Sequence, residues 1–445
     1  MKLIKIIGDR HLFELLRGSM VAFLFKLTGV AIGYLFFYVL ADYYGTEGVG
    51  VFSTLWTILL FCIIFAKLGF DTSIVKYIAG FYGQKKFSFI KIIYRKGVFI
   101  ILLAGTIITL LVFAFSNQIS LLFFENSDYS FFIFLVGLLT IPMAIINYNA
   151  ESLKSLKNIT GFSILQNGTI YIVMLMFLFI LNHYSFSADN IIYSLCLTFA
   201  VLIPLSFLMI SNSFSRRLKR QDVHSETFSL KNKDILQTTF PMFLSSFLFF
   251  ILSWTDILML SYYLPESDVG VYSMASKIAA VNTLVLVAVN SIAMPKFAEI
   301  FERNDKSLFR NFIKQSTLLV FIFSFPVLIL IMLFPSEILQ VFGTEFAEGK
   351  NTLLILAAGQ FFSAFSGSTI NILNMCGREK AAQYILIFSS IPNILLNYFL
   401  IPVYGIEGAA IATSATLILW NLLAVLVIYR KFGFLTFPFN VKFKK

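Results

Sequence analysis

The chain has 445 residues, of which 58% are hydrophobic, 53 are Phe and only 13% are charged. This composition is too apolar for the surface of a soluble domain and indicates an integral membrane protein. The net charge of +11 comes from basic residues between apolar segments, a pattern that determines membrane topology and does not indicate nucleic-acid binding.

Twelve apolar segments are long enough to cross a membrane. A helix rises ~1.5 Å per residue, so about 20 residues cross about 30 Å of hydrocarbon. Because unpaired backbone groups cannot face lipid, we expect these segments to be helices. The predicted spans are 19–40, 49–69, 97–115, 130–150, 163–181, 191–211, 237–262, 270–293, 315–334, 351–374, 381–400 and 408–429.

The distribution of Lys and Arg predicts the orientation of these spans. Of the 34 basic residues, 30 lie at the two ends of the chain and in alternate connecting segments. Lys350 is the only one in the opposite loops, which have at most 16 residues each. Since basic residues accumulate on the cytoplasmic side, both termini are predicted to be cytoplasmic. The short outer loops leave no room for a catalytic domain.

One phrase of sequence occurs twice, as YYGTEGVGVFS at 43–53 and as YYLPESDVGVYS at 262–273. The first copy joins spans 1 and 2, and the second joins spans 7 and 8, on the same predicted side. This arrangement favours a duplication in which two halves are related by a pseudo-twofold axis along the membrane normal. A shorter echo, YGIEGAAIATS at 404–414, precedes span 12, and we attribute it to shared turn chemistry.

The predicted fold is therefore an all-α integral membrane protein with twelve transmembrane helices, in two six-helix halves around a central cavity. The predicted domains are an N-terminal half, a cytoplasmic linker, a C-terminal half and a cytoplasmic tail. Their boundaries are 1–212, 213–236, 237–430 and 431–445.

The sequence contains no recognisable catalytic, nucleotide or metal motif, since GxxxxGK[ST], GxSxG and HExxH are all missing. The three cysteines fall in or beside different spans, and the three histidines have no second ligand three or four residues away. These residues are Cys62, Cys196, Cys376, His11, His183 and His224. We expect no cofactor, no metal site and no enzymatic activity.

Four segments resemble the polysaccharide transporter family, the O-antigen and capsule-precursor flippases of the multidrug/oligosaccharidyl-lipid/polysaccharide exporter superfamily. They are YGTEGVGVFS (44–53), KLGFDTSIVKYIAG (67–80), DILMLSYYLPESDVGVYSMASKIAAV (256–281) and NILNMCGREKAAQ (371–383). The resemblance implies translocation of a polyprenyl-diphosphate-linked oligosaccharide from the cytoplasmic to the outer leaflet of a bacterial inner membrane. It also implies membrane lipids, a polysaccharide polymerase and chain-length machinery as partners.

Charged residues within the spans are candidate contacts for such a cargo, because a charge near the bilayer centre costs about 2.5–3.5 kcal/mol. Lys26 in span 1 either extends to the cytoplasmic interface or binds the lipid diphosphate. Lys277 and Asp256 lie at similar predicted depths in spans 8 and 7. They either form an ion pair, or act as a cavity cation and as a carboxylate that couples transport to a proton gradient.

Two further sets of polar residues lie in the spans. Lys67 and Asp71, four residues apart, are predicted to pair on one helix face. The segment FFSAFSGSTINILN of span 10 is too polar to face lipid, and span 8 also contains asparagines. Interhelical hydrogen bonds account for part of these residues. We assign to the substrate cavity Asn282, Asn371 and Asn374.

Three hypotheses for function follow, of which the flippase is favoured. An alternative is a cation-coupled drug or metabolite antiporter of the same superfamily, which should contain a cluster of acidic residues within one half. Only Asp256 qualifies. A membrane-embedded polymerase or glycosyltransferase should have a large basic outer loop or a cytosolic acidic metal motif, and the sequence has neither.

Overall fold

The computed structural model describes residues 10–84, 86–217, 232–302 and 305–438, which are almost entirely helical and contain no strand. The predicted all-α class is confirmed. Residues 218–231 of the predicted linker and 439–445 of the predicted tail lie outside this part of the chain.

The helices are α1 Arg10–Lys67, α2 Phe70–Gly83, α3 Phe87–Ala114, α4 Ser116–Phe124, α5 Ser130–Ser155, α6 Ile159–Gln166, α7 Thr169–Tyr184, α8 Asn190–Arg217, α9 Asn232–Tyr263, α10 Glu266–Ala279, α11 Val281–Glu302, α12 Lys306–Leu333, α13 Pro335–Gln340, α14 Lys350–Ser366, α15 Thr369–Met375 and α16 Glu379–Phe432.

The helices confirm a multi-pass membrane protein. Within the described residues, nine helical stretches are long and apolar enough to cross a membrane, and the pair α6 and α7, bent by 44°, makes a tenth. Two of the nine stretches come from α1 and α16, which have 58 and 54 residues. Each of these two helices covers two predicted spans. The total of twelve spans stays a prediction.

Both long helices are broken at one glycine. Gly45 in α1 has φ 62° and ψ −161°, and Gly405 in α16 has φ 56° and ψ −134°. Residues other than glycine rarely adopt such positive φ values. A Cβ on Gly408 would overlap the carbonyl oxygen of Leu400, eight residues earlier, so α16 folds back on itself. Both breaks lie in the sequence Tyr-Gly-X-Glu-Gly. The shorter echo at 404–414 therefore contains a helix break like that of the first copy of the repeated phrase.

Contacts divide the chain into two compact units. The first unit comprises Met1–Ser19, Leu40–Ser53 and Ile251–Lys445, as far as these are described, and the second comprises Met20–Val39 and Thr54–Phe250. The first copy of the repeated phrase therefore packs with the C-terminal part of the chain. The predicted division into two six-helix halves stays a prediction.

In the first unit, the two copies of the repeated phrase touch backbone to backbone. A Cβ on Gly50 would overlap the carbonyl oxygen of Glu266, and a Cβ on Gly270 would overlap the carbonyl oxygen of Thr46. The contact is reciprocal, because each glycine meets the residue four positions before the other glycine. Reciprocal contacts of this kind arise about a twofold axis. The crossing therefore supports the duplication hypothesis.

Buried side chains surround this crossing. Val49 and Phe52 of the first copy, and Val271 and Tyr272 of the second, are at most 3% exposed. The hydroxyl of Thr46 donates a hydrogen bond of 3.3 Å to Oε2 of Glu345, in the 3-10 turn before α14. The two copies and this turn thus form one packed end of the first unit.

The second unit is arranged around α5, which packs against α2, α3, α6 and α8. Its buried face includes Ile133, Val136, Ala144, Tyr148 and Leu153, none of which is exposed. The hydroxyl of Thr109 on α3 donates a 2.8 Å hydrogen bond to the carbonyl oxygen of Gly137 on α5. Small residues and hydroxyl groups thus bring these two helices close together.

The ion pair of Lys67 and Asp71 is confirmed, with 2.7 Å between Nζ and Oδ2. The explanation by a shared helix face is wrong. Helix α1 ends at Lys67 and α2 begins at Phe70, with Leu68 and Gly69 between them at φ 47° and 77°. The pair therefore connects two helices across a tight turn.

Replacing Gly50 by Ala should lower the free energy of unfolding by about 1–3 kcal/mol, because the added methyl group overlaps a backbone carbonyl that cannot rotate away. Chemical denaturation of the purified protein in detergent measures this change. Gly80→Ala is the matched control, since no atom lies within 4 Å of a Cβ at that helical position. An equal loss in both variants would contradict the close crossing.

Candidate functional site

Asp256 is a buried charged group among the predicted site residues, and its carboxyl group is hydrogen-bonded. Its side chain lies on α9, 7% exposed. Oδ2 accepts hydrogen bonds from the hydroxyl of Tyr272 on α10 and from Oγ1 of Thr413 on α16, the second at 3.3 Å. Oδ1 accepts a 2.9 Å bond from the amide of Ile257. Donors from three helices therefore hold a buried carboxyl group inside the first unit.

Lys277 lies in the last turn of α10 and is half-buried. The predicted ion pair with Asp256 is not formed. The hydrogen bonds of Asp256 within the described chain come from Tyr272, Thr413 and Ile257, and none comes from Lys277. Neighbouring hydroxyl groups satisfy this carboxyl group in place of the cation.

Asn282 is buried at the start of α11, directly after the helix break at Ala280. Its side chain is 3% exposed, and neither its oxygen nor its nitrogen has a hydrogen-bond partner among the described residues. A buried polar group left unsatisfied costs about 1–3 kcal/mol, so such a group calls for a functional explanation. The contact with substrate or water that the sequence predicts for Asn282 is an explanation of this kind.

Asn371 and Asn374 lie on the short helix α15, and both are half-buried. The span predicted over 351–374 lies within the apolar stretch Thr344–Met375, and its helix is interrupted at Gly367 and Ser368. A Cβ on Gly367 would overlap the hydroxyl of Thr317 on α12. Close packing against that neighbouring helix therefore favours a glycine break.

The broken span is held in place by side-chain hydrogen bonds. The Ser368 hydroxyl donates to Oδ1 of Asn290, and the Thr369 hydroxyl donates to Oδ1 of Asn421 at 3.0 Å. The carbonyl oxygen of Ser366 accepts a 2.8 Å bond from the hydroxyl of Thr436. Non-helical backbone at membrane depth needs partners of this kind, and discontinuous helices form binding sites in other transporters.

Lys26 lies on α1 in the second unit, with an exposed side chain. Gly29, one turn further along, packs against the break between α6 and α7, where its Cβ would lie 2.8 Å from the carbonyl carbon of Asn167. Beside that break, Nε2 of Gln166 donates a 3.2 Å hydrogen bond to Oδ1 of Asn147. The second unit thus places a cation one helical turn from a broken, polar span.

Sequence reasoning missed Tyr272, Thr413 and both broken spans. Tyr272 lies in the second copy of the repeat, where the first copy has Phe52, and this difference was a readable signal. The dipeptide Asn167-Gly168 and the run Ser-Gly-Ser-Thr at 366–369 interrupt apolar sequence, which is the usual sign of a discontinuous helix.

Comparison with known families agrees with this architecture. Residues 15–301 match the family described as polysaccharide biosynthesis protein, which is more than half of the chain. The chain belongs to that family. Residues 241–399 also match the MatE family.

Individual relatives support the same assignment. An uncharacterized membrane protein of Methanocaldococcus jannaschii is 24% identical over 94% of this chain and 98% of its own length. A probable low-salt glycan biosynthesis flippase of Haloferax volcanii is 28% identical over 53% of this chain and 48% of its own length. A putative O-antigen transporter of Shigella flexneri is 26% identical over 39% of this chain and 41% of its own length.

A solved structure shares the fold. The lipid II flippase MurJ, in an inward closed conformation, has a TM-score of 0.72 and 17% identity, and the match covers 92% of this chain and 87% of that one. At this identity the likeness concerns the fold alone.

Changing Tyr272 to Phe should destabilise the first unit by about 1–3 kcal/mol, because it leaves the buried carboxyl group of Asp256 without one of its donors. Denaturant unfolding in detergent provides the measurement. Tyr262→Phe serves as the control, since that side chain is 50% exposed. If both substitutions had the same small effect, the assigned hydrogen bond would be wrong.

Proposed function

We propose that the protein is a flippase, which moves a polyprenyl-diphosphate-linked oligosaccharide, such as an O-antigen or capsule repeat unit, across the inner membrane. The observation that carries this proposal is the transporter fold shared with a lipid II flippase over 92% of the chain. Membership of the polysaccharide biosynthesis protein family adds support from the sequence. Transport runs from the cytoplasmic to the outer leaflet by alternating access.

The predicted site residues suit a cargo with two chemical parts. The diphosphate is anionic, and the predicted cations Lys26 and Lys277 suit contact with it. The sugars offer hydroxyl groups, for which the amides of Asn282, Asn371 and Asn374 are suitable partners. Contact with the cargo would also explain why Asn282 is buried without a partner among the described residues.

The predicted orientation completes this proposal. Both termini face the cytoplasm, because the basic residues concentrate in the segments assigned to that side. The flipped cargo is then delivered on the outer face, where a polysaccharide polymerase and chain-length machinery would use it.

Purified protein in vesicles should expose a labelled lipid-linked oligosaccharide to an outside glycosidase faster than empty vesicles do. Lys26→Ala and Lys277→Ala should each slow this exposure by about tenfold or more, since a lost charge-assisted contact is worth about 1.5–3 kcal/mol. The control is Lys350→Ala, in a predicted outer loop, which should retain the full rate. Exposure no faster than in empty vesicles would refute the flippase function. Full activity in both variants would refute only the proposed role of the two lysines in binding the cargo.

Asp256 is the proposed coupling residue. A carboxyl group surrounded by hydroxyl donors from Tyr272 and Thr413 can take up a proton or a small cation, and either change alters its hydrogen bonding. The same residues would transmit that change to α10, which carries Lys277 in its last turn.

Asp256→Asn should abolish the acceleration of transport by an imposed ion gradient, because the amide keeps the shape of the carboxyl group but neither ionises nor binds a cation well. Flipping rates in vesicles with and without a proton gradient, and then a sodium gradient, measure the effect. The matched variant Asp128→Asn, exposed in a predicted outer loop, should respond like the unaltered protein. A gradient response that survives in Asp256→Asn would assign coupling elsewhere.

The match of residues 241–399 to the MatE family favours a second candidate, the cation-coupled drug or metabolite antiporter. The same vesicles distinguish the two functions. An antiporter would exchange a small cationic dye for protons or sodium, and it would leave the lipid-linked oligosaccharide on its original leaflet.

A further inference from the structure

A cavity of about 560 Å³ opens in the second unit between the start of α3 and the end of α8. Its rim is polar, with two cations from α3 and two hydroxyl groups from α8. Its floor is aromatic and apolar. The residues used below are Lys91, Arg95, Ser211, Ser215, Tyr94 and Phe214.

The rim has an unbalanced positive charge. Lys91 and Arg95 are four residues apart on α3, so both lie on one face of the helix, and both side chains are exposed. Neither α3 nor α8 contains an Asp or Glu. Neither cation forms an ion pair within the described part of the chain. Like charges at this spacing repel each other, so the site favours a bound anion.

The floor is rigid. The ring of Tyr94 meets that of Phe214 edge to face at 5.1 Å and stacks on that of Tyr148 at 5.5 Å. The Tyr94 hydroxyl donates a 2.6 Å hydrogen bond to Oδ1 of Asn149, whose Nδ2 donates to Ser206 on α8 at 2.9 Å. Helices α3, α5 and α8 are therefore tied together beneath the cavity, so its shape is built into the fold.

The same two helices expose apolar side chains along their length beyond the rim. In a chain that crosses a membrane, such side chains face the hydrocarbon of the lipid tails. They are Phe99, Leu102 and Leu103 on α3, and Val201, Phe207 and Leu208 on α8, all between 38% and 68% exposed. The cationic rim therefore lies where a polar interface meets an apolar, lipid-facing surface.

We propose that this cavity is a binding site for the head group of an anionic phospholipid. Lys91 and Arg95 contact the phosphate, and the hydroxyls of Ser211 and Ser215 donate to phosphate or glycerol oxygens. The acyl chains follow the exposed apolar surface of α3 and α8. Basic pockets between membrane helices on the cytoplasmic side bind such head groups in other proteins. The predicted orientation puts the start of α3 and the end of α8 on that side.

Native mass spectrometry of the delipidated full chain in detergent tests this site, with phosphatidylglycerol added at increasing concentration. The double variant Lys91→Gln/Arg95→Gln should bind phosphatidylglycerol about thirtyfold more weakly, since each of the two lost basic contacts with an anionic lipid surface is worth about 1 kcal/mol. The control, Lys306→Gln/Arg310→Gln, removes the same charges at the same spacing from the exposed start of α12. It should bind like the unaltered protein. Equal weakening in both variants would overturn the site.

Two further binding measurements identify the class of ligand. Phosphatidylcholine should bind weakly and equally to all variants, and millimolar inorganic phosphate should not displace bound phosphatidylglycerol. Displacement by phosphate would identify a free-anion site and overturn the proposal. If the double variant does not fold, Arg95→Gln alone must still weaken binding severalfold for the proposal to stand. All of these readouts measure lipid binding, so they are independent of the proposed transport activity.

Discussion

A backbone-to-backbone contact between two helices organises the first unit. Gly50 and Gly270 each meet a carbonyl oxygen of the opposite helix, at Glu266 and Thr46, at a distance that no side chain permits. Within a membrane, lipid is as apolar as a leucine side chain, so helices gain little from the hydrophobic effect and associate through close packing of small residues. This requirement explains why the repeated phrase keeps Val-Gly-Val in both copies, whereas its turn differs.

The two copies differ in polarity as well as in their turns. Phe52 of the first copy is buried and apolar, whereas Tyr272 of the second copy donates its hydroxyl to the carboxyl group of Asp256. The second copy therefore contributes a hydroxyl donor to a buried carboxyl group, at the position where the first copy has phenylalanine.

The apolar spans could be predicted from the sequence, because length and hydropathy follow directly from the thickness of the bilayer. For example, the prediction 191–211 corresponds to α8, Asn190–Arg217. The breaks at Gly168 and Gly367 were missed, although polar residues and glycine interrupt the apolar sequence at both. The contacts that fix these breaks, with Gly29 and Thr317 of other helices, exist only in the folded chain.

The candidate site, like the fold, was predicted only in part. Asp256 was identified as a charge within a span, but its partners lie 16 and 157 residues away in sequence. Depth alone had suggested Lys277 as its partner. The cations Lys91 and Arg95 were counted only as topology determinants. The cavity that they line forms only when α3 packs beside α8, which is far away in sequence.

The most direct test of this account is a double-mutant cycle between Gly50→Ala and Gly270→Ala, measured as the free energy of unfolding in detergent. The first methyl group separates the two helices, so the second should cost less in its presence than alone. We expect the double variant to lose at least about 0.5 kcal/mol less than the sum of the single variants. Additive losses, equal within about 0.3 kcal/mol, would mean that the two glycines do not share one contact, and would contradict the crossing on which the account depends.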